Sequence, residues 1–288
     1  MTQAIGIAGM GRMGSAFATR LLETGHAVRV WNRSPGRCAT AVAAGAEMAD
    51  DLDALADCDV MLTSLTDVAA VSDVVDGLAA AGISGKLVIE MSTLLPAEAE
   101  AIAAKVDAAG ADFVHCPVGG TVAPALKGQL LGMAGGNMTA VTRAKPVLEH
   151  LCRRVEHLGP TGSAARMKLA VNLPLAIYWQ VLGESLTLLR GAGIAPETAI
   201  GLIADSSAGP AVLKNRSQVV IDTLNGTDQP GTFDIAGLAK DLRLALSLAA
   251  AEGADLPLAR TTEPCYAKAL AQGLGGLDGA SLSMRSAG

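Results

Sequence analysis

The chain has 288 residues, about twice a common single-domain length, so two domains are expected. It is 50% hydrophobic and 17% charged, enough apolar mass for a sizeable core and too much for a disordered chain. With 22 Lys+Arg against 28 Asp+Glu, a net charge of −6 and 2% aromatic residues, it lacks the basic footprint and the stacking platforms of a nucleic-acid binder.

The first half alternates strand and helix patterns. Ala4–Ala8 is a short apolar run, Ser15–Glu23 has helical spacing, and Ala27–Trp31 reads as a second strand. Between the first strand and the helix lies Gly9-Met10-Gly11-Arg12-Met13-Gly14, a G-x-G-x-x-G in the strand–turn–helix context that a dinucleotide site requires. Gly9 permits the tight turn, Gly11 lets backbone approach a pyrophosphate, and Gly14 allows close helix–strand packing. The N–H groups that open the helix then attract the anion.

The end of the second strand selects the cofactor subtype. NAD sites place Asp or Glu there to bond the ribose 2′-hydroxyl. This chain has Asn32-Arg33-Ser34 with Arg37 close behind, so no carboxylate repels a 2′-phosphate and Arg33 offers it a fork of donors. NADP(H) is therefore favoured over NAD(H).

Val60–Ser64, Leu87–Met91 and Ala111–Val114 read as further strands separated by helical stretches, the pattern of a parallel sheet covered on both faces. Leu130–Ala134 and Val155–Leu158 are expected to extend the sheet at its far edge. After Gly159-Pro160-Thr161-Gly162 the pattern changes. Ser163–Arg190 is long and helical, and helices follow at Pro196–Asp205, Ala211–Leu224, Ile235–Glu252 and Pro257–Gln272, with a loop over Asn225–Gly231. The expected domains are residues 1–161 and 162–288, an α/β doubly wound Rossmann sheet followed by an all-α C-terminal domain.

Cys38, Cys58, Cys116, Cys152 and Cys265 are odd in number and show no C-x-x-C, as reduced thiols would. His26, His115, His150 and His157 have no ligand spacing, so no metal is expected; His115 and Cys116, adjacent on a strand, would face opposite ways. No run of about 18 apolar residues occurs, so no membrane partner is expected. The stretch Met1–Leu22 superficially resembles a signal sequence. It lacks a basic start, and Gly9, Gly11, Arg12 and Gly14 interrupt it, so a cytoplasmic protein is expected.

Beyond the glycine motif, Glu90-Met91-Ser92-Thr93, Pro117-Val118-Gly119-Gly120, Gly162…Lys168…Asn172 and Lys240-Asp241 follow in order. In this series the chain resembles the β-hydroxyacid dehydrogenases, a group that includes 3-hydroxyisobutyrate, tartronate semialdehyde and glyoxylate/succinic semialdehyde enzymes. The run Pro124-Ala125-x-x-Gly128-Gln129-Leu130 leans toward the last branch. The resemblance spans nearly the whole chain. It implies a Rossmann domain, a long interdomain helix and a helical domain used for dimerisation, hence a homodimer or higher oligomer. It also implies Lys168 as general acid/base with Asn172 as helper, and Ser92 and Thr93 beside nicotinamide and substrate. Leu65 and Thr66 would line the cofactor, and Lys240 would lie over cofactor and substrate, paired with Asp241.

The chemistry is coherent without the family. Lys168 and Asn172 are four apart and share a helix face. Hydride addition to a carbonyl creates an alkoxide that an ammonium can protonate and an amine can deprotonate in reverse. A small hydroxy acid also needs a carboxylate anchor, for which Ser92, Thr93 and the backbone N–H groups of Gly119, Gly120 and Thr121 are the candidate donors. The chain departs from the family at two polar positions, with Gly119 where a serine is usual and Val171 where the first of two asparagines is usual. Pro174 would leave the Ala170 carbonyl unbonded and bend the long helix beside Asn172. The leading expectation is an NADPH-linked reductase of a small aldehyde or keto acid. The alternatives are an imine reductase, for which Lys168 is unusual, and a non-catalytic NADP-binding module.

Overall fold

The computed structural model describes residues 4–286, with side chains to residue 284; the non-basic first three residues lie outside them. The chain divides into two compact units, one ending at Lys168 and the other beginning at Leu169.

The first unit begins β1 (Ala4–Ala8), α1 (Arg12–Glu23) and β2 (Ala27–Trp31), followed by a short 3-10 turn and α2 (Ala39–Ala43). Next come β3 (Glu47–Met48), α3 (Leu52–Ala56), β4 (Val60–Thr63), α4 (Val68–Ala81), β5 (Leu87–Glu90), α5 (Pro96–Ala108) and β6 (Asp112–His115). Among the described residues these strands form a six-stranded sheet in the order β3-β2-β1-β4-β5-β6, parallel throughout. That is the doubly wound order with its reversal between β1 and β4, where dinucleotides bind beyond the strands' carboxyl ends.

The central strands read as unbroken apolar runs because both faces are covered. Their side chains divide with period two. Ile5, Ile7, Val60, Leu62, Leu87, Ile89 and Val114 pack into one core with Phe17 and Leu21 of α1. Met61, Val88 and Phe113 pack into the other with Val71, Val75 and Leu78 of α4.

The unit continues with β7 (Val118–Gly119), α6 (Val122–Leu126), β8 (Leu130–Ala134), α7 (Met138–Leu151) and β9 (Cys152–His157). Here the structure corrects the expectation of edge strands. β7, β8 and β9 form a separate three-stranded sheet, β7 antiparallel and β9 parallel to β8. Pro117 has no N–H to continue a ladder. The chain beyond β6 therefore turns and pairs with β8, and an isolated bridge between His115 and Gly135 ties β6 to the new sheet.

Helix α8 (Thr161–Thr187) runs through Pro174, so the proline lies within the helix and does not end it. The second unit follows as α9 (Pro196–Asp205), α10 (Ala211–Leu224), α11 (Ile235–Ala251), α12 (Pro257–Ala271) and the short α13 (Leu282–Ser286). Its core is aliphatic with two aromatic anchors, Trp179 and Tyr266, and the Tyr266 hydroxyl donates to the Ala176 carbonyl at 2.9 Å. All five cysteines are free thiols, and Cys38, Cys58, Cys116 and Cys152 are buried. No helix among the described residues is long and apolar enough to cross a membrane.

Candidate cofactor and substrate site

The three glycines of the loop between β1 and α1 each have a separate reason. Gly9 has φ +99°, and a Cβ there would lie 2.3 Å from the Ser64 carbonyl oxygen. A Cβ on Gly14 would lie 1.9 Å from the Gly9 carbonyl oxygen. Gly11 is different, because nothing lies within 4 Å of where its Cβ would be. Gly11 caps α1 in extended backbone, no side chain caps that terminus, and the first turn carries no acidic residue. An uncapped helix start facing open space fits a bound pyrophosphate. Met10 and Met13 pack on the core beside this loop.

The loop is tied to the end of β2. The Gly9 N–H donates to the Trp31 carbonyl at 3.0 Å. The Met10 N–H donates to Asn32 Oδ1 at 2.9 Å, and Asn32 Nδ2 donates to the Ser34 carbonyl at 3.1 Å. Asn32 thus acts as a strut between the glycine loop and the segment that carries Arg33, Ser34 and Arg37, all exposed. Arg33 stands near enough to Asp67 to help hold its carboxyl below the usual range, after larger contributions from the Ala70 N–H and the Thr66 hydroxyl.

The loops after β4 and β5 lean on one another. Ser92 Oγ accepts from the Leu65 N–H at 2.8 Å. Glu90, fully buried at the end of β5, accepts from the Thr63 hydroxyl and from the Ser92 N–H. His115 Nε2 lies 3.0 Å from the Ser92 carbonyl oxygen. Burial lowers the imidazole to about 4, so it is neutral near pH 7 and its Nε2–H is the donor. This brace was missed in the sequence. Its signal was a lone carboxylate in the otherwise apolar Leu87–Met91 run.

Lys168 is buried, 8% exposed, while its neighbours Met167 and Val171 are 43% and 40% exposed. A helix that turns a lysine inward and apolar residues outward reverses ordinary amphipathic order. Lys168 Nζ donates to the Val118 carbonyl at 2.9 Å, which brings the ammonium to β7, just before the turn at Gly120. Gly120 has φ +124° and its Cβ would meet Leu130 at 2.7 Å, so glycine is required. Gly119 is not so constrained, since a Cβ there would make ordinary contacts from 3.5 Å. Space for a side chain therefore does not explain why glycine stands where the family usually has serine. Thr121 starts α6 without its side chain capping it. Thr93 follows Ser92 in the braced turn, and Thr66 Oγ1 donates to Asp67 at 3.0 Å.

In the second unit, Asn172, Lys240 and Asp241 come together. Asn172 Nδ2 donates to Asp241 Oδ2 at 2.6 Å, and Lys240 Nζ lies 3.3 Å from Asp241 Oδ1. Asn172 and Asp241 are 3% and 5% exposed. A buried carboxylate flanked by an amide and an ammonium fixes both donors in place.

Residues 4–159 match the family described as the NAD binding domain of 6-phosphogluconate dehydrogenase. Residues 162–284 match the one described as NAD-binding of NADP-dependent 3-hydroxyisobutyrate dehydrogenase. The chain belongs to the β-hydroxyacid dehydrogenase family. As a member, it is an NAD(P)-dependent oxidoreductase with a Rossmann domain that binds a nicotinamide cofactor. It is 30% identical to glyoxylate/succinic semialdehyde reductase 1 of Arabidopsis thaliana over 278 residues, 95% of each chain. It superimposes at TM-score 0.87 and 28% identity on Mycobacterium tuberculosis 3-hydroxyisobutyrate dehydrogenase, solved with L-serine, covering 98% of each chain. An imine reductase from Pseudomonas sp. shares the fold at TM-score 0.66 and 23% identity, covering 99% of each chain.

Proposed function

We propose that this enzyme is an NADP(H)-dependent reductase of a small carboxylate-bearing aldehyde or keto acid, with Lys168 as general acid/base. The observation that carries this reading is the inward-turned Lys168 ammonium beside the Val118–Gly120 strand and turn.

The nicotinamide, when bound in reduced form, would supply the hydride for the substrate's carbonyl carbon. Lys168 holds the proton that the developing alkoxide takes up, and as a free amine it recovers that proton in the oxidative direction. The N–H groups of Gly120 and Thr121, with the hydroxyls of Ser92 and Thr93, are the donors for the substrate carboxylate, and Gly119, paired with Leu131 in the β7–β8 ladder, lets the backbone lie close to it. Asn172 orients the reacting groups from the next turn of α8, and Asp241 keeps its amide and the Lys240 ammonium in register. Arg33, with Arg37 and Ser34, receives the 2′-phosphate, while Gly9 to Gly14 receive the pyrophosphate.

Residues 1–161 are assigned to cofactor binding and residues 162–288 to substrate and self-association. Leu188, Leu202 and Leu258 are 85%, 69% and 65% exposed on the helical unit, which supports a homodimer or larger homo-oligomer. A cytoplasmic location accords with the free buried thiols.

Imine reduction is the second reading, favoured by the loss of polar groups at Gly119 and Val171. A spectrophotometric NADPH-oxidation screen separates the two. It covers glyoxylate, succinic semialdehyde, tartronate semialdehyde, methylmalonate semialdehyde and several cyclic imines. Turnover of a semialdehyde or glyoxylate is expected, and reduction of cyclic imines alone would reverse the assignment.

A further inference from the structure

Thr63, Glu90 and His115 occupy one row across the sheet. Thr63 is the register partner of Glu90, and Glu90 is the register partner of His115. The row lies at the carboxyl ends of β4, β5 and β6, the last ladder positions before the strands give way to loops. All three side chains are 0% exposed. A buried carboxylate at such a point is costly unless donors converge on it, and here they do. One oxygen takes the Thr63 hydroxyl from the neighbouring strand, and the other takes the Ser92 N–H from its own loop.

The effect passes outward. With its N–H held by Glu90, Ser92 presents its hydroxyl to the Leu65 N–H and its carbonyl to His115 Nε2. The far end of the same loop is held by Glu98, whose carboxylate accepts the Leu95 N–H at 2.8 Å at the start of α5. Thr93 and Leu94 are thus strung between two carboxylate anchors. The loop after β4 is held by Ser92 at Leu65 and by the Asp67 cap of α4 at Ala70. In the doubly wound order the β2 end takes the adenosine ribose, and the cofactor crosses the β1–β4 reversal to reach the β4 and β5 ends. The braced loops belong to that second half.

We propose that Glu90 is a positioning residue for the nicotinamide half of the cofactor site. It fixes the Ser92–Thr93 turn directly, and the Leu65–Thr66 loop through the Ser92 hydroxyl. This rests on reading those loops as nicotinamide-side, and it leaves the adenosine side, held by the separate Asn32 strut, untouched.

The experiment compares binding of NADPH with binding of 2′,5′-ADP, which carries the adenosine half alone. NADPH is followed by its own fluorescence and 2′,5′-ADP by calorimetry. In Glu90→Ala, NADPH is expected to bind about tenfold more weakly while 2′,5′-ADP stays within about twofold of wild type. Glu90→Gln keeps an oxygen for the Ser92 N–H and should stay within about threefold for both. Equal weakening of both probes in Glu90→Ala, or weakening of neither, overturns the proposal. Should Glu90→Ala fail to fold, Thr63→Val, which deletes one donor at nearly constant shape, gives the decision. Selective loss for NADPH supports the positioning role, and any unselective result overturns it. If the wild type prefers NADH, the probes become NADH and 5′-ADP, so an error in the phosphate assignment and an error about Glu90 give different results. Binding is read without turnover, so neither depends on the substrate.

Discussion

Alanine at Gly11 and at Gly14 separates the glycine that faces ligand from the glycine that packs. At Gly14 the added Cβ would sit 1.9 Å from the Gly9 carbonyl oxygen, where real contacts stay beyond 3.0 Å, so at least 3.0 − 1.9 = 1.1 Å must be made up by movement. The carbonyl is poorly placed to yield, because the Gly9 N–H is bonded to Trp31 and the Met10 N–H to Asn32. Helix α1 must move, and it carries Phe17 and Leu21, which are buried in the first core and resist the shift. Overpacking of this kind costs about 1–3 kcal/mol, or roughly 3–10 °C in Tm for a unit of this size. At Gly11 the backbone angles of −76° and −170° suit alanine, and the Cβ would meet nothing within 4 Å. Its cost to the apoprotein should be about 0.5 kcal/mol. The same methyl would occupy the space left for a pyrophosphate, and NADPH affinity should fall about tenfold or more, some 1.4 kcal/mol per decade. Thermal unfolding of the apoprotein and NADPH fluorescence titration measure the two effects. Wild-type affinity in Gly11→Ala, or an unchanged Tm in Gly14→Ala, would refute the reasoning.

Three other substitutions follow from the same geometry. Arg33→Ser should weaken NADPH about tenfold or more while changing NADH affinity little, as paired titrations would show. Asp241→Ala removes the acceptor shared by Asn172 and Lys240, and kcat should fall about tenfold under saturating NADPH; equal kcat would contradict the role given to that trio. His115 has its folded pKa lowered, mainly by burial, to about 4 from 6.5, so the unfolded chain takes up this proton first as pH falls. Its contribution to stability is complete above about pH 6.5 and is lost on the way down to about pH 4, roughly 2 kcal/mol of it by about pH 5. Urea melts at about pH 7.5 and about pH 5 should show that loss in the wild type and a smaller one in His115→Gln, which keeps a donor at the Nε2 position.

Much of this fold was legible because its signals are local. β1, β2, β8, α9 and α10 begin and end where apolar runs and turn residues place them, and the glycine motif marks the loop between β1 and α1. β3 and β7 are two-residue strands, too short for any period to register, and the second sheet was not told apart from the first because strand patterns at β8 and β9 do not say which sheet they join. Lys168 was found by resemblance and by its four-residue spacing from Asn172. Its inward direction depends on which face α8 buries, which the mixed polarity of that helix does not announce. The row of Thr63, Glu90 and His115 is a matter of strand register among segments distant in the chain. Spacing along one strand cannot show which residues stand beside each other across three.

Replacing Lys168 with alanine tests the proposed chemistry most directly. Turnover of glyoxylate or a semialdehyde with NADPH should fall about 10²–10⁴-fold in Lys168→Ala, with NADPH affinity held within a few-fold of wild type. Turnover equal to wild type, or a loss wholly explained by lost cofactor binding, would contradict Lys168 as the group that trades a proton with the substrate oxygen.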